Sequence, residues 1–176
     1  MIPGNADTRG WGSHPEFYLS VISAVMVTTD ADFVKSSILA AIPFARALRL
    51  EFVELAEDRA VMRLPDNPDH HDHAQGQHSG ALLALAETAS GAAVFNALGD
   101  RLRVALPLAV RAGIDHRQPV GGAVRAEARL GEEWHGAVAE LEAGGRPEFP
   151  VEVELRTEDG AATAAATIVW TLRPYR

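Results

Sequence analysis

The chain of 176 residues reads as an α+β domain in which an antiparallel sheet wraps around one long central helix. Three observations predict this. Ser79–Leu98 is an Ala/Leu-rich run of helical length, and from Ser79 to Asn96 its one ionisable side chain is Glu87. A helix that is apolar all round is buried all round. The runs before and after it alternate apolar and polar residues with a period of two, which is strand patterning. The breaks between the later runs are short, and short connections join strands antiparallel, because a parallel pair needs a long crossover.

The elements follow in order. Residues 1–30 read as an N-terminal arm: 1–14 are irregular, and Phe17–Met26 is a short helix or a strand that periodicity does not decide. Asp30-Ala31-Asp32 opens a helix with carboxylates near its positive end, Phe33, Ile38, Leu39 and Ile42 give it an apolar side, and Pro43 ends or kinks it. Leu50–Leu55 and Arg59–Leu64 form a hairpin about Glu57-Asp58. Pro65–Gln77 is a polar loop. Ser79 is the expected N-cap of the central helix, and Gly99-Asp100 closes it. Val104, Leu106, Leu108 and Val110 are expected on one face of a strand. Val124–Leu130, Phe149–Leu155 and Thr163–Leu172 are further strands, and His135–Glu142 is a weaker strand candidate. The four successive strands after the helix are expected to run as a meander, and residues 31–176 form one domain.

Composition narrows the function classes. Lys and Arg number 16 against 24 Asp and Glu, a formal charge of −8, which argues against a nucleic-acid or anionic-membrane binder. No cysteine is present, which removes disulfides, cysteine zinc sites and a cysteine nucleophile, and suits a reducing cytoplasm. No signal peptide is visible, and Gly80–Leu98 makes a poor membrane span because of its polar residues.

Glu87 is the chemical clue. A carboxylate in apolar surroundings is costly unless it is paired or protonated. It is either a catalytic base or nucleophile, or a carboxylate hydrogen-bonded to a neighbouring strand or subunit.

The run His78-Ser79-Gly80-Ala81-Leu82-Leu83-Ala84-Leu85-Ala86-Glu87 resembles the hotdog-fold acyl-CoA thioesterases, most closely the phenylacetate-pathway type. Those proteins open their central helix with His-Gly-Gly and carry Asp or Glu nine residues after that His, the offset of Glu87 from His78. Asp72-His73-Ala74-Gln75-Gly76 stands where they have an Asn-containing loop. The resemblance covers roughly residues 31–173. It implies a hotdog fold and hydrolysis of an acyl-CoA to free acid and CoA, without a cofactor or metal. It further implies Glu87 as base or nucleophile, the Ser79 N–H as the donor that polarises the thioester carbonyl, His78 shaping the site, and Asp72 in the place of the Asn. His73 is an alternative polar group there, and Gly80 and Arg117 are expected at the substrate. Arg101, Arg103, Arg111 and Arg129 are further candidates for the CoA phosphates. The resemblance also implies a homodimer or homotetramer whose pockets draw on two chains. Ser79 and Asp72 depart from the family's Gly and Asn.

Rival readings remain at this level. His70, His71, His73 and His78, with Asp69 and Asp72, suggest a metal site, although adjacent histidines on a loop lack the ligand spacing of a regular element. A non-catalytic acyl-ligand-binding hotdog protein and a dehydratase using His78 and Glu87 are alternatives. Gly76–Gly80 superficially matches a serine-hydrolase elbow, but Ser79 stands one place late and no strand precedes it.

Overall fold

A computed structural model describes residues 31–175. The expectations for residues 1–30 lie outside the described residues. Two helices come first, α1 (Ala31–Ala41) and α2 (Pro43–Ala47), so Pro43 ends one helix and starts the next. Proline suits that place, because the first helical residue has no use for an N–H. The hairpin β1 (Glu51–Leu55) and β2 (Arg59–Leu64) follows, then the central helix α3 (Ser79–Leu98). Next come β3 (Ala105–His116), β4 (Val124–Leu130), α4 (Glu133–Glu142), β5 (Glu148–Thr157) and β6 (Ala162–Pro174).

The six strands make one antiparallel sheet in the order β1-β2-β4-β5-β6-β3. The sheet curls around α3, the α+β hotdog arrangement expected from the sequence. Its inner face is lined with small residues where it meets the helix. Ala126, Ala128, Ala164 and Ala166 are buried opposite Ala86, Ala89, Ala92 and Ala93 of α3. Small side chains on both surfaces let the backbones approach closely, and Leu85, Val94, Phe149, Leu155 and Ile168 fill the remaining space. By length and composition α3 could cross a membrane, but most of it is buried inside this sheet.

Four expectations need correction. His135–Glu142 lies in a helix: Trp134, Ala137 and Leu141 are its buried residues, and their spacing of three and four is helical. The last four strands are not one meander. β4, β5 and β6 are, but β3 pairs with β6 at the far edge while β4 pairs with β2. In β3 it is Ala105 and Pro107 that are buried, whereas Val104 and Val110 are exposed. Its register with β6 shifts between Ala109 and Arg111, so the inward face passes from odd to even positions. The N-cap of α3 is His78, not Ser79.

The outer face of the sheet is a lattice of ion pairs. Arg59 meets Glu54 and Glu127, Arg63 meets Glu51 and Glu158, Arg129 meets Glu127, Arg156 meets Glu154, and Arg111 meets Glu148. Both signs are interspersed, as on a solvated surface.

Candidate active site around the start of the central helix

The loop before α3 is built by its own backbone. Asp72 Oδ1 accepts the N–H groups of Ala74 (2.8 Å) and Gly76 (3.2 Å), and the Asp72 N–H donates to the Gly76 carbonyl. Gln75 takes the positive φ of 65° that closes the turn. The bonds from Ala74 and then Gly76 favour the charged form and hold the Asp72 carboxyl below its ordinary range. One oxygen of Asp72 therefore serves the turn.

Three bonds tie this loop to the sheet. The Gln77 N–H donates to the Val120 carbonyl, and the buried Gln77 side-chain amide donates to the carbonyls of Pro65 and Gly122. Gly76 is required at its place, because a Cβ there would lie 2.9 Å from the Val120 carbonyl oxygen.

At the helix start, His78 Nδ1 accepts the Gly80 N–H at 2.9 Å, and the His78 carbonyl accepts the N–H groups of Ala81 and Leu82. An accepting Nδ1 puts the ring proton of neutral His78 on Nε2, on an exposed side chain. With those donors engaged, the Ser79 N–H is the donor of the first turn that no described residue accepts. It stands at the positive end of a 20-residue helix, where a developing oxyanion is stabilised. The N–H of Gly80 is taken up by the His78 cap, and a Cβ on Gly80 would lie 3.1 Å from His78 Nδ1.

Glu87 is exposed, although the helix on which it stands is buried. Expecting its carboxylate in apolar surroundings was therefore wrong for the single chain. One stripe of α3 is uncovered over its first half: Gly80 and Glu87 are exposed, and Leu83 and Ala84 are half-buried. Beside it runs β3, whose Ala112, Ile114 and His116 pair with Ile168, Ala166 and Ala164 and so share the sheet's inner face. Ala112 and His116 are exposed there. The result is an open groove with Glu87 on one wall and the helix N-terminus at its mouth.

The structure brings Asp72, His73, Gly76, His78, Ser79 and Gly80 together at that mouth. It places Arg117 elsewhere: its guanidinium lies 3.7 Å from Glu154, a residue on the outer face between inward-facing Val153 and Leu155. Arg101, Arg111 and Arg129 are likewise engaged with Glu142, Glu148 and Glu127. The histidines of the loop do not converge. His70 is buried against Asn67, His71 pairs with Asp66 at 2.8 Å, His78 caps the helix and His73 is exposed. Among the described residues no three His, Asp or Glu side chains form a metal-holding cluster. Sequence reasoning missed Gln77. Its signal was a lone amide between Gly76 and His78 at the end of the loop, where two strand ends offer carbonyls.

The fold, one curled antiparallel sheet around a long central helix, is the hotdog arrangement. The domain-of-unknown-function family DUF4442 matches residues 31–172, and the chain belongs to that family. Solved structures share the fold. A probable thioesterase of unknown function from Pseudomonas aeruginosa is 24% identical, covers 82% of this chain and 95% of its own, and has a TM-score of 0.73. A variant of the phenylacetic acid degradation protein PaaI from Thermus thermophilus is 26% identical over 75% of this chain and 99% of its own, with a TM-score of 0.55. A protein of unknown function from Chlorobaculum tepidum is 14% identical over 87% of this chain and 99% of its own, and its TM-score of 0.73 speaks for the fold alone. No functionally curated protein matches the chain.

Proposed function

We propose that the protein hydrolyses an acyl-CoA thioester in the cytoplasm, with Glu87 as base or nucleophile and the Ser79 N–H as the carbonyl's donor. The observation that carries this reading is Glu87 itself. It is a carboxylate on the uncovered, otherwise apolar stripe of a buried helix, and no described residue pairs with it. A surface carboxylate that served only solubility would have no need of that stripe. The arrangement suits attack on a thioester: the helix start offers a positive dipole end and an unengaged N–H, and the groove wall offers the base.

We further propose a homodimer formed through β3, with tetramers as pairs of such dimers. β3 is twelve residues long and lies at the edge of the sheet, and no described strand pairs with its outer side, so its backbone groups are a ready template for a second copy. Spacing favours the same conclusion. Ser79 and Glu87 stand eight residues apart, about 12 Å along the helix. One chain can bring both to a single carbonyl only with Glu87 fully extended along the helix. A second copy paired through β3 supplies a helix start from across the groove and removes that demand. Asp72 acts in this scheme by shaping the loop, and His78 by capping the helix while presenting Nε2–H. With Arg117 engaged on the outer face, the CoA phosphates rely on His73 and on the partner's surface.

The test is free-thiol release from a panel of acyl-CoAs by the wild type and Glu87→Gln, each with and without chelator, together with the mass in solution. Hydrolysis that survives chelation and falls at least a hundredfold in folded Glu87→Gln supports the proposal. Binding of acyl-CoA without hydrolysis makes the protein an acyl-ligand-binding hotdog instead, and full activity of Glu87→Gln removes Glu87 from the mechanism.

A further inference from the structure

We infer that Trp170 is the end wall of the groove beside Glu87 and restricts this site to short acyl groups. This rests on the thioester reading of that groove. At 100° per residue, Gly80, Ala84, Glu87, Gly91, Val94 and Leu98 fall on one stripe of α3, about 80° wide. The first three are exposed or half-buried and the last three are buried. The change falls at Gly91, where the Trp170 indole lies against the stripe. A Cβ on Gly91 would lie 3.1 Å from Cη2 and 3.3 Å from Cζ2 of that ring, so the indole sits across the stripe one turn beyond Glu87.

The indole is fixed from two directions. Its Nε1–H donates to Ser90 Oγ at 3.1 Å, and the Ser90 hydroxyl donates to the Glu87 carbonyl at 2.8 Å. Phe95 meets it edge to face, with ring centroids 6.5 Å apart and planes at 89°. The strand wall closes at the same level. Trp170 pairs with Ala109 of β3; beyond it Leu172 and Pro107 are both buried, whereas on the Glu87 side Ala112 is exposed and Ile114 half-buried. From Glu87 to Gly91 is four residues, about 6 Å along the helix. That length takes an acyl chain of a few carbons and stops a fatty-acyl chain at the ring.

A tryptophan that served only the core would, when truncated, lower activity on all acyl groups alike. A wall changes the ratio between them. The experiment compares kcat/KM for butanoyl-CoA and decanoyl-CoA in the full-length wild type, Trp170→Ala, Trp170→Leu and Ser90→Ala, with circular dichroism to confirm folding. Calorimetric binding of the non-hydrolysable S-butyl-CoA and S-decyl-CoA runs beside it. The wild type is expected to favour butanoyl at least tenfold. Trp170→Ala should shift that ratio toward decanoyl at least tenfold and strengthen S-decyl-CoA binding. Trp170→Leu should shift it less, and Ser90→Ala, which frees the ring without removing it, least. If Trp170→Ala does not fold, the other two variants carry the test. An unchanged ratio in folded variants, or a wild type that turns over decanoyl-CoA as fast, overturns the wall. If no thioester is hydrolysed yet the analogues still sort by length, the hydrolase reading fails and the wall stands. If neither analogue binds any of the proteins, both fail.

Discussion

Replacing Gly76 with alanine tests how tightly the loop of the proposed site is seated on the sheet. The new Cβ would lie 2.9 Å from the Val120 carbonyl oxygen and 3.6 Å from its carbon. Both are backbone atoms, so no side chain can swing away. The same oxygen accepts the Gln77 N–H at 2.8 Å, so relief of the clash lengthens that bond. Overpacking of this kind costs about 1–3 kcal/mol, and loss of the hydrogen bond about 1 kcal/mol more. For a chain of this size, a total of about 2–4 kcal/mol lowers Tm by about 4–16 °C. Because Gln77 leads directly into His78 and Ser79, the helix start moves with it, and hydrolysis should fall at least tenfold in a variant that is still folded at assay temperature. The control is Gly136→Ala, in the middle of α4, where an added Cβ meets nothing within 4 Å. It should gain about 0.5–1 kcal/mol from helix propensity and leave activity unchanged. Differential scanning calorimetry and thiol release read both. If Gly76→Ala melts with the wild type and keeps its activity, the loop yields easily and the seating described above is wrong.

Three further predictions follow from the site. His78→Ala loses the helix cap and should cost about 0.5–2 kcal/mol by denaturant unfolding, whereas His78→Asn, a good N-cap residue, should restore most of that stability but not the activity, if Nε2–H contacts substrate. Asp72 holds its turn in the ionised form, so its folded pKa lies below the unfolded value; the stability it adds is present above that unfolded value, about 3.9, and is lost as pH falls through the lower folded one. Asp72→Asn keeps an accepting oxygen and should abolish that acid-side loss in a pH series of melts while keeping the loop at neutral pH, where Asp72→Ala should not. Val110 is 39% exposed near the middle of β3, close to the axis on which two antiparallel copies would meet, so Val110→Glu sets like charges opposite each other and should halve the mass measured by light scattering.

Much of this was legible in the sequence for one reason: a helix with a single ionisable side chain admits few surroundings. Ser79–Leu98 demanded cover on nearly all sides, and the alternating runs supplied it. The misses share a different cause. β3 lies beyond β6 because pairing between strands distant in the chain leaves no local mark, so adjacency in sequence was a poor guide. The helix containing Trp134, Ala137 and Leu141 was obscured by Gly136 and by the short apolar run around Val138, which fits either period. His78 displaced Ser79 as cap because its ring reaches the Gly80 N–H, a geometry that residue preferences rank below serine. Glu87 was recognised by its offset from His78, but its exposure could not be foreseen, since what covers its stripe does not come from the described part of the same chain.

The Gln77 amide has a kinetic meaning. Its two donated bonds fasten the loop to the ends of β2 and the lead-in to β4, segments 57 positions apart in the chain, counted from Pro65 to Gly122. Such a loop cannot open without loosening strands in the middle of the sheet, so it belongs to the same cooperative unit. The amide hydrogens of Gln77 and His78 should exchange with solvent on the timescale of global unfolding rather than on that of a surface turn. Substrate would then meet a helix start already in position, and entry would be governed by the groove and by the proposed second copy rather than by a lid.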